Sequence, residues 1–89
     1  MSLLTIACSN YNSERWIERY LNSLNEQLLP EFSVIIVDAR STDNSLNIIK
    51  QFKFREGINN KIISLDKRIG YYEAFNLITY NCETEYIVS

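Results

Sequence analysis

The stretch VIIVDARSTDNS, residues 34–45, runs four aliphatic residues straight into the carboxylate of Asp38. Arg40, Ser41, Thr42, Asp43 and Asn44 follow, and then a new apolar pattern begins. A short apolar run with no polar alternation reads as a strand buried on both faces. Phe32 to Val37 is therefore expected to be a parallel strand with helices above and below it. Thr42, Asp43 or Asn44 can cap the helix that follows, whose inner face carries Leu46, Ile49 and Phe52.

The same grammar repeats outward from this stretch. Leu3 to Cys8 (LLTIAC) reads as a first strand, and its polar exit is Ser9, Asn10 and Asn12 with Tyr11 among them. Asn12 or Ser13 can cap a helix bearing Trp16, Ile17, Tyr20, Leu21, Leu24 and Leu28 at helical spacing, which Pro30 ends. Residues 53–60 (KFREGINN) form a charged connection. Ile62, Ile63 and Leu65 make a third strand, followed directly by Asp66, Lys67 and Arg68. Gly70 opens a third helix with Tyr71, Ala74, Phe75 and Ile78 on one side, closed by Asn81 and Cys82. Tyr86, Ile87 and Val88 begin a fourth strand. The spacing of Trp16, Tyr20, Tyr71 and Tyr80 predicts core packing for them rather than ligand stacking.

The order β-α-β-α-β-α-β predicts a mostly parallel sheet with helices on both faces, a Rossmann-like three-layer α/β/α half-domain. Right-handed crossovers favour the spatial strand order 3-2-1-4. In such a sheet, ligands bind outside the carboxyl ends of the strands, near the point where strand order reverses. That order brings the clusters Ser9–Asn12, Asp38–Asp43 and Asp66–Gly70 to one rim. Each cluster alone is also what strand ends and helix caps require. Three on one rim point to a site.

Composition narrows the chemistry. The chain has 89 residues, an apolar fraction of 46%, two Gly, one Pro and a net charge of −2. This is one domain or part of one, and its charge gives no reason to expect nucleic acid as a partner. There is no His, which removes the commonest general base and metal ligand and rules out a Ser-His-Asp triad. Cys8 and Cys82 lack metal-ligand spacing and read as small apolar residues in a reducing compartment. No run of about 18 apolar residues is present to span a membrane, and no signal peptide is visible. The dinucleotide fingerprint, the P-loop and the nucleophile elbow are all absent. A response-regulator-like pocket would need paired acids after strand one, where Ser9 and Asn10 stand.

Four blocks, SNYNSERWIERYLNSL, VIIVDARSTDNSLNIIKQF, GYYEAFN and EYIVS, occur in an order and at spacings that resemble the start of a family 2 glycosyltransferase with the GT-A fold. The resemblance spans essentially the whole chain. It implies that residues 1–89 are the N-terminal nucleotide-binding portion of a glycosyltransferase domain. It also implies a nucleoside-diphosphate sugar as donor, with a UDP-sugar first among the choices, and a cytoplasmic location or one at the cytoplasmic face of the membrane. By the resemblance, Ser9, Tyr11 and Asn12 hold the base and ribose, Asp38 contacts the base edge or ribose, and Arg68 or Lys67 approaches the nucleotide. Arg40, Ser41, Asp43, Asp66 and Glu73 are further candidates, and Glu73 is equally a solvated helix charge.

The family's Asp-x-Asp motif, which holds Mg or Mn against the diphosphate, would be due just after Ser89, so neither metal ligands nor catalytic residues are expected within this chain. Ala39 departs from the paired Asp of many relatives, and Phe75 stands where others carry Arg. An alternative from another class is a non-catalytic α/β binding or oligomerisation module, self-associating through the open edge of strand four.

Overall fold

The computed structural model describes residues 4–88. Leu3 of the expected first strand and Ser89 of the last block lie outside the described residues. Seven elements alternate along the chain: β1 (Leu4–Asn10), α1 (Ile17–Asn25), β2 (Phe32–Ala39), α2 (Ser45–Gln51), β3 (Ile58–Leu65), α3 (Tyr71–Asn81) and β4 (Tyr86–Val88). The four strands form one sheet in the order β3-β2-β1-β4, with every neighbouring pair parallel. This is the expected half-domain.

Strand β2 sits at the centre and is buried on both faces, which is why its sequence shows no polar alternation. Val34 and Ile36 face α1 and α2, joining Ile17, Leu21, Leu24, Phe32, Ile49 and Ile58 in the larger core cluster. Ile35 and Val37 face α3 and pack with Ala7 and Ile78. Cys8 flanks the first cluster and Cys82 the second, and both thiols are free. Burial pushes the Cys8 thiol up, partly offset by its bond to Tyr20. The Tyr20 hydroxyl is itself pushed up to about 12, by burial first and then by Cys8.

Several boundaries depart from the sequence reading. Residues 58–60 belong to β3 rather than to a connection, because Phe32 at the start of β2 pairs with Ile58 and the ladder continues from there. Strand β1 likewise runs on to Asn10, opposite Asp38. Helix α1 stops at Asn25, so Leu28 is fully exposed. The cause is Arg55. Its guanidinium donates to the carbonyls of Gln27, Leu29 and Pro30, its Nε donates to Asn25 O, and Asn25 Oδ1 accepts its backbone N–H. Carbonyls satisfied from outside need no further helical turn.

The aromatic residues were also misplaced. Trp16, Tyr71 and Tyr80 are exposed and Tyr20 is half-buried. Phe75, expected on the inner side of α3, is exposed as well. Helix α3 is buried through Ala74 and Ile78, Ile78 packing with Ala7 and Val37, while Tyr71 and Phe75 line a small crevice beside Ala7.

Gly57 adopts a φ of +96°, and a Cβ there would lie 2.2 Å from Pro30 O. Gly70 has φ −79°, and a Cβ would meet nothing within 4 Å. Gly57→Ala is therefore expected to destabilise the fold by more than about 1 kcal/mol, through strain and displacement of the Pro30 turn. Gly70→Ala is expected to be close to neutral. Urea unfolding of both variants checks the contrast.

Candidate functional site

Parallel pairing places the carboxyl ends of β1, β2 and β3 along one rim. Asn10 and Asp38 are register partners there, and Asp38 pairs in turn with Ser64 of β3. Side chains alternate across the sheet. Ser9 therefore points to the α3 side, where it lines a small crevice with Ala7, Tyr71, Ala74 and Phe75. Asn10 and Asp38 point to the α2 side and are buried.

The two buried side chains form the hub of a hydrogen-bonded network. Asn10 Nδ2 donates to Asp38 Oδ1 at 2.7 Å and lies 3.1 Å from Ser45 Oγ and 3.2 Å from Ser41 Oγ. Asn10 Oδ1 accepts from Ser13 Oγ. Ser41 donates to Asp38 twice, through Oγ to Oδ1 at 2.6 Å and through its backbone N–H to Oδ2 at 3.1 Å. Every polar atom of this pair is thus used, as burial requires.

A second layer ties the two loops together nearer the solvent. Asn12 donates its backbone N–H to Ser41 Oγ, and its Oδ1 accepts the backbone N–H groups of Thr42 and Asp43. Asp43 Oδ2 accepts the Glu14 N–H, while Glu14 Oε1 accepts that of Asn44. Asp43 Oδ1 also receives the N–H and Oγ of Ser45 at the start of α2. The expected helix caps are therefore mostly cross-links. Neither Asn12 nor Ser13 caps α1 with its side chain, and of the three candidates for α2 only Asp43 reaches that helix's first N–H.

Desolvation opposes ionisation of Asp43, but the bonds from Ser45 and from the Glu14 N–H outweigh it and hold the carboxyl below its ordinary range.

On the open side of the rim, Tyr11 is partly exposed, and the Arg68 guanidinium carbon lies 3.8 Å from the centre of its ring. The loops after β1 and β3 thus meet in a cation–π stack. Lys67 and Glu73 are exposed and line a different cleft, with Leu65, Ile69, Asn76 and Leu77. Asp66 and Arg40 are exposed, and Arg40 holds a left-handed φ of +57°. Asp38, expected to contact the base edge or ribose, lies fully buried beneath the loops. Asn10, Ser13 and Ser45 were not among the candidates. Asn10 could have been found by extending β1 two residues, which sets it against Asp38. Among the described residues, no three Cys, Asp or Glu side chains gather to hold a metal ion.

The glycosyl transferase family 2 model matches residues 5–89. The poly(ribitol-phosphate) beta-N-acetylglucosaminyltransferase TarS of Staphylococcus aureus is 39% identical over 72 residues, which is 79% of this chain and 12% of TarS. The dTDP-rhamnosyl transferase RfbG of Shigella flexneri is 47% identical over 78 residues, 86% of this chain and 27% of RfbG. The crystal structure of S. aureus TarS 1-349 in complex with UDP-GlcNAc superposes with a TM-score of 0.82 and 32% identity, over 97% of this chain and 25% of that one. The mannosyltransferase PcManGT from Pyrobaculum calidifontis, in complex with GDP-Man and Mn2+, gives a TM-score of 0.82 at 23% identity, over 90% of this chain and 24% of that one. That last likeness bears on the fold alone. The chain spans about an eighth of TarS and about a quarter of RfbG.

The lowered Asp43 value has a consequence for stability. The unfolded state binds the proton at the ordinary value of 3.8, and the folded state only at lower pH. The contribution of Asp43 is therefore complete above that value and is lost as pH falls through the folded one. Urea midpoints measured from about pH 6 to about pH 2 are expected to fall less steeply for Asp43→Asn than for the parent chain.

Proposed function

The chain belongs to glycosyl transferase family 2, and on that premise we propose that it is the nucleotide-binding part of a sugar-nucleotide-dependent glycosyltransferase. The observation that carries the reading is the Tyr11–Arg68 stack at the carboxyl ends of β1 and β3. An aromatic face suits a base, and a guanidinium suits a diphosphate. Ser9 and the exposed parts of Asn12 supply polar groups for ribose hydroxyls. Lys67 lies one residue from Arg68, and Arg40, Asp66 and Glu73 stand further along the exposed surface.

The reaction served is transfer of a sugar from a nucleoside diphosphate to an acceptor hydroxyl. The bond from the anomeric carbon to the phosphate oxygen breaks, the acceptor oxygen bonds that carbon and gives up its proton, and the nucleoside diphosphate leaves with the bonding electron pair. The role of this segment is to hold and orient the leaving group. A UDP-sugar is the favoured donor, because the TarS structures that superpose on the chain hold UDP and UDP-GlcNAc. A bound Mg or Mn ion would neutralise the diphosphate, with ligands from outside the described residues. Two free cysteines fit a reducing cytoplasmic setting, at or away from the inner membrane face. No helix among the described residues is long and apolar enough to cross a membrane.

A second reading, a binding or assembly module, draws on the free edge of β4, where Tyr86 and Val88 are exposed. A concentration-dependent dimer in sedimentation, with no nucleotide affinity, would favour it.

UDP titrated into the isotopically labelled protein is expected to shift the amides of residues 9–12 and 66–70. Tyr11→Ala should weaken UDP binding by about fivefold to a hundredfold, the range for one base–aromatic stack. A folded sample in which UDP, GDP and dTDP all leave those amides unmoved would sink the donor-site reading.

A further inference from the structure

We propose that Asp38 and Asn10 are positioning residues, which set the nucleotide loops from beneath without touching the nucleotide. This rests on the donor-site reading above and deepens it. Asp38 stands at the end of the central strand, where a ligand contact would be expected. Yet it has no exposed surface, and both its oxygens are taken by Ser41 and Asn10. Asn10 is equally buried, and its amide is fixed in one orientation. Its oxygen accepts from Ser13, while its nitrogen faces only acceptors.

Through these two side chains the loop carrying Tyr11 and Asn12 is pinned to the loop carrying Ser41 and Thr42. Ser41 Oγ is the junction, because it donates to Asp38 and accepts the Asn12 N–H. The chain of contacts therefore runs from Asp38 through Ser41 and Asn12 to the neighbouring Tyr11. A carboxylate that read the base would need a free oxygen on the rim, and Asp38 has none.

Asp38→Asn tests this with almost no change of shape. The amide must set its NH2 against either the Ser41 N–H or the Asn10 NH2, so one bond becomes a donor–donor conflict. Ser41→Ala removes the junction from the other side, and Ser41→Thr restores its hydroxyl.

The proposal expects Asp38→Asn and Ser41→Ala each to weaken UDP binding by about tenfold or more, with the UDP-to-GDP preference of the parent kept. The double variant should be little worse than either single one, and Ser41→Thr should bind like the parent. A shared readout needs no nucleotide: the side-chain protons of Arg68 should be shifted by the Tyr11 ring current in the parent and move toward ordinary values in both weakened variants.

A changed base preference in Asp38→Asn alone would overturn the proposal in favour of direct contact. So would a lowered melting temperature with unchanged UDP affinity and unchanged Arg68 shifts, which would confine the pair to folding. If the parent chain binds no nucleotide, the donor-site reading fails, and the Arg68 shifts still decide whether Asp38 and Asn10 set the Tyr11 loop.

Discussion

The bond from Asn10 to Asp38 joins the last register pair of two strands that pair residue for residue. It can form only because β1 and β2 are parallel and in this register. Slipping either strand by one residue would turn one of the two side chains toward α3 and leave the other buried without a partner. The pair is thus a check on the register of the two central strands. Ser41 and Ser45 complete it from the β2–α2 connection, so the start of α2 is fixed by the same contact that fixes the strands.

The opposite end of the sheet is organised by a different cation. Arg55 gathers the carbonyls that follow α1, and its guanidinium lies over the ring of Phe32. Gly57, beside it, lets the chain pass against Pro30. One end of the molecule is therefore pinned by backbone carbonyls around an arginine, the other by side-chain amides and hydroxyls around a carboxylate. At the second end the Tyr11 ring and the Arg68 guanidinium stack on the outer side of the rim.

The parallel architecture was legible because β2 carries apolar residues on both faces and each strand exits into cap-forming residues. The handedness of crossovers narrowed the strand order to a few choices, and the favoured one, 3-2-1-4, is the one observed. The aromatic residues were not legible. Helical spacing shows which residues share a face, but it does not say whether the sheet beneath has room for them. Ala74 and Ile78 take the buried positions of α3, and Tyr71 and Phe75 stay exposed. Nor could sequence reveal that Asn12 would commit its side chain to the other loop, and Ser13 its hydroxyl back to Asn10, rather than to the helix ahead, since all these uses demand the same residue types. Asp38 was rightly placed on the rim by its position after β2. Its direction, down toward α2 rather than outward, follows the alternation of Val34 and Ile36 along β2, and a strand ended at Cys8 conceals Asn10, the partner that meets it there.

Arg40 and Asn12 both hold left-handed backbone angles, at φ +57° and +49°. Asn adopts that region at little cost, whereas for Arg it costs about 1–2 kcal/mol. The bonds that fix Ser41, the neighbour of Arg40, to Asp38 and to Asn12 offset that cost.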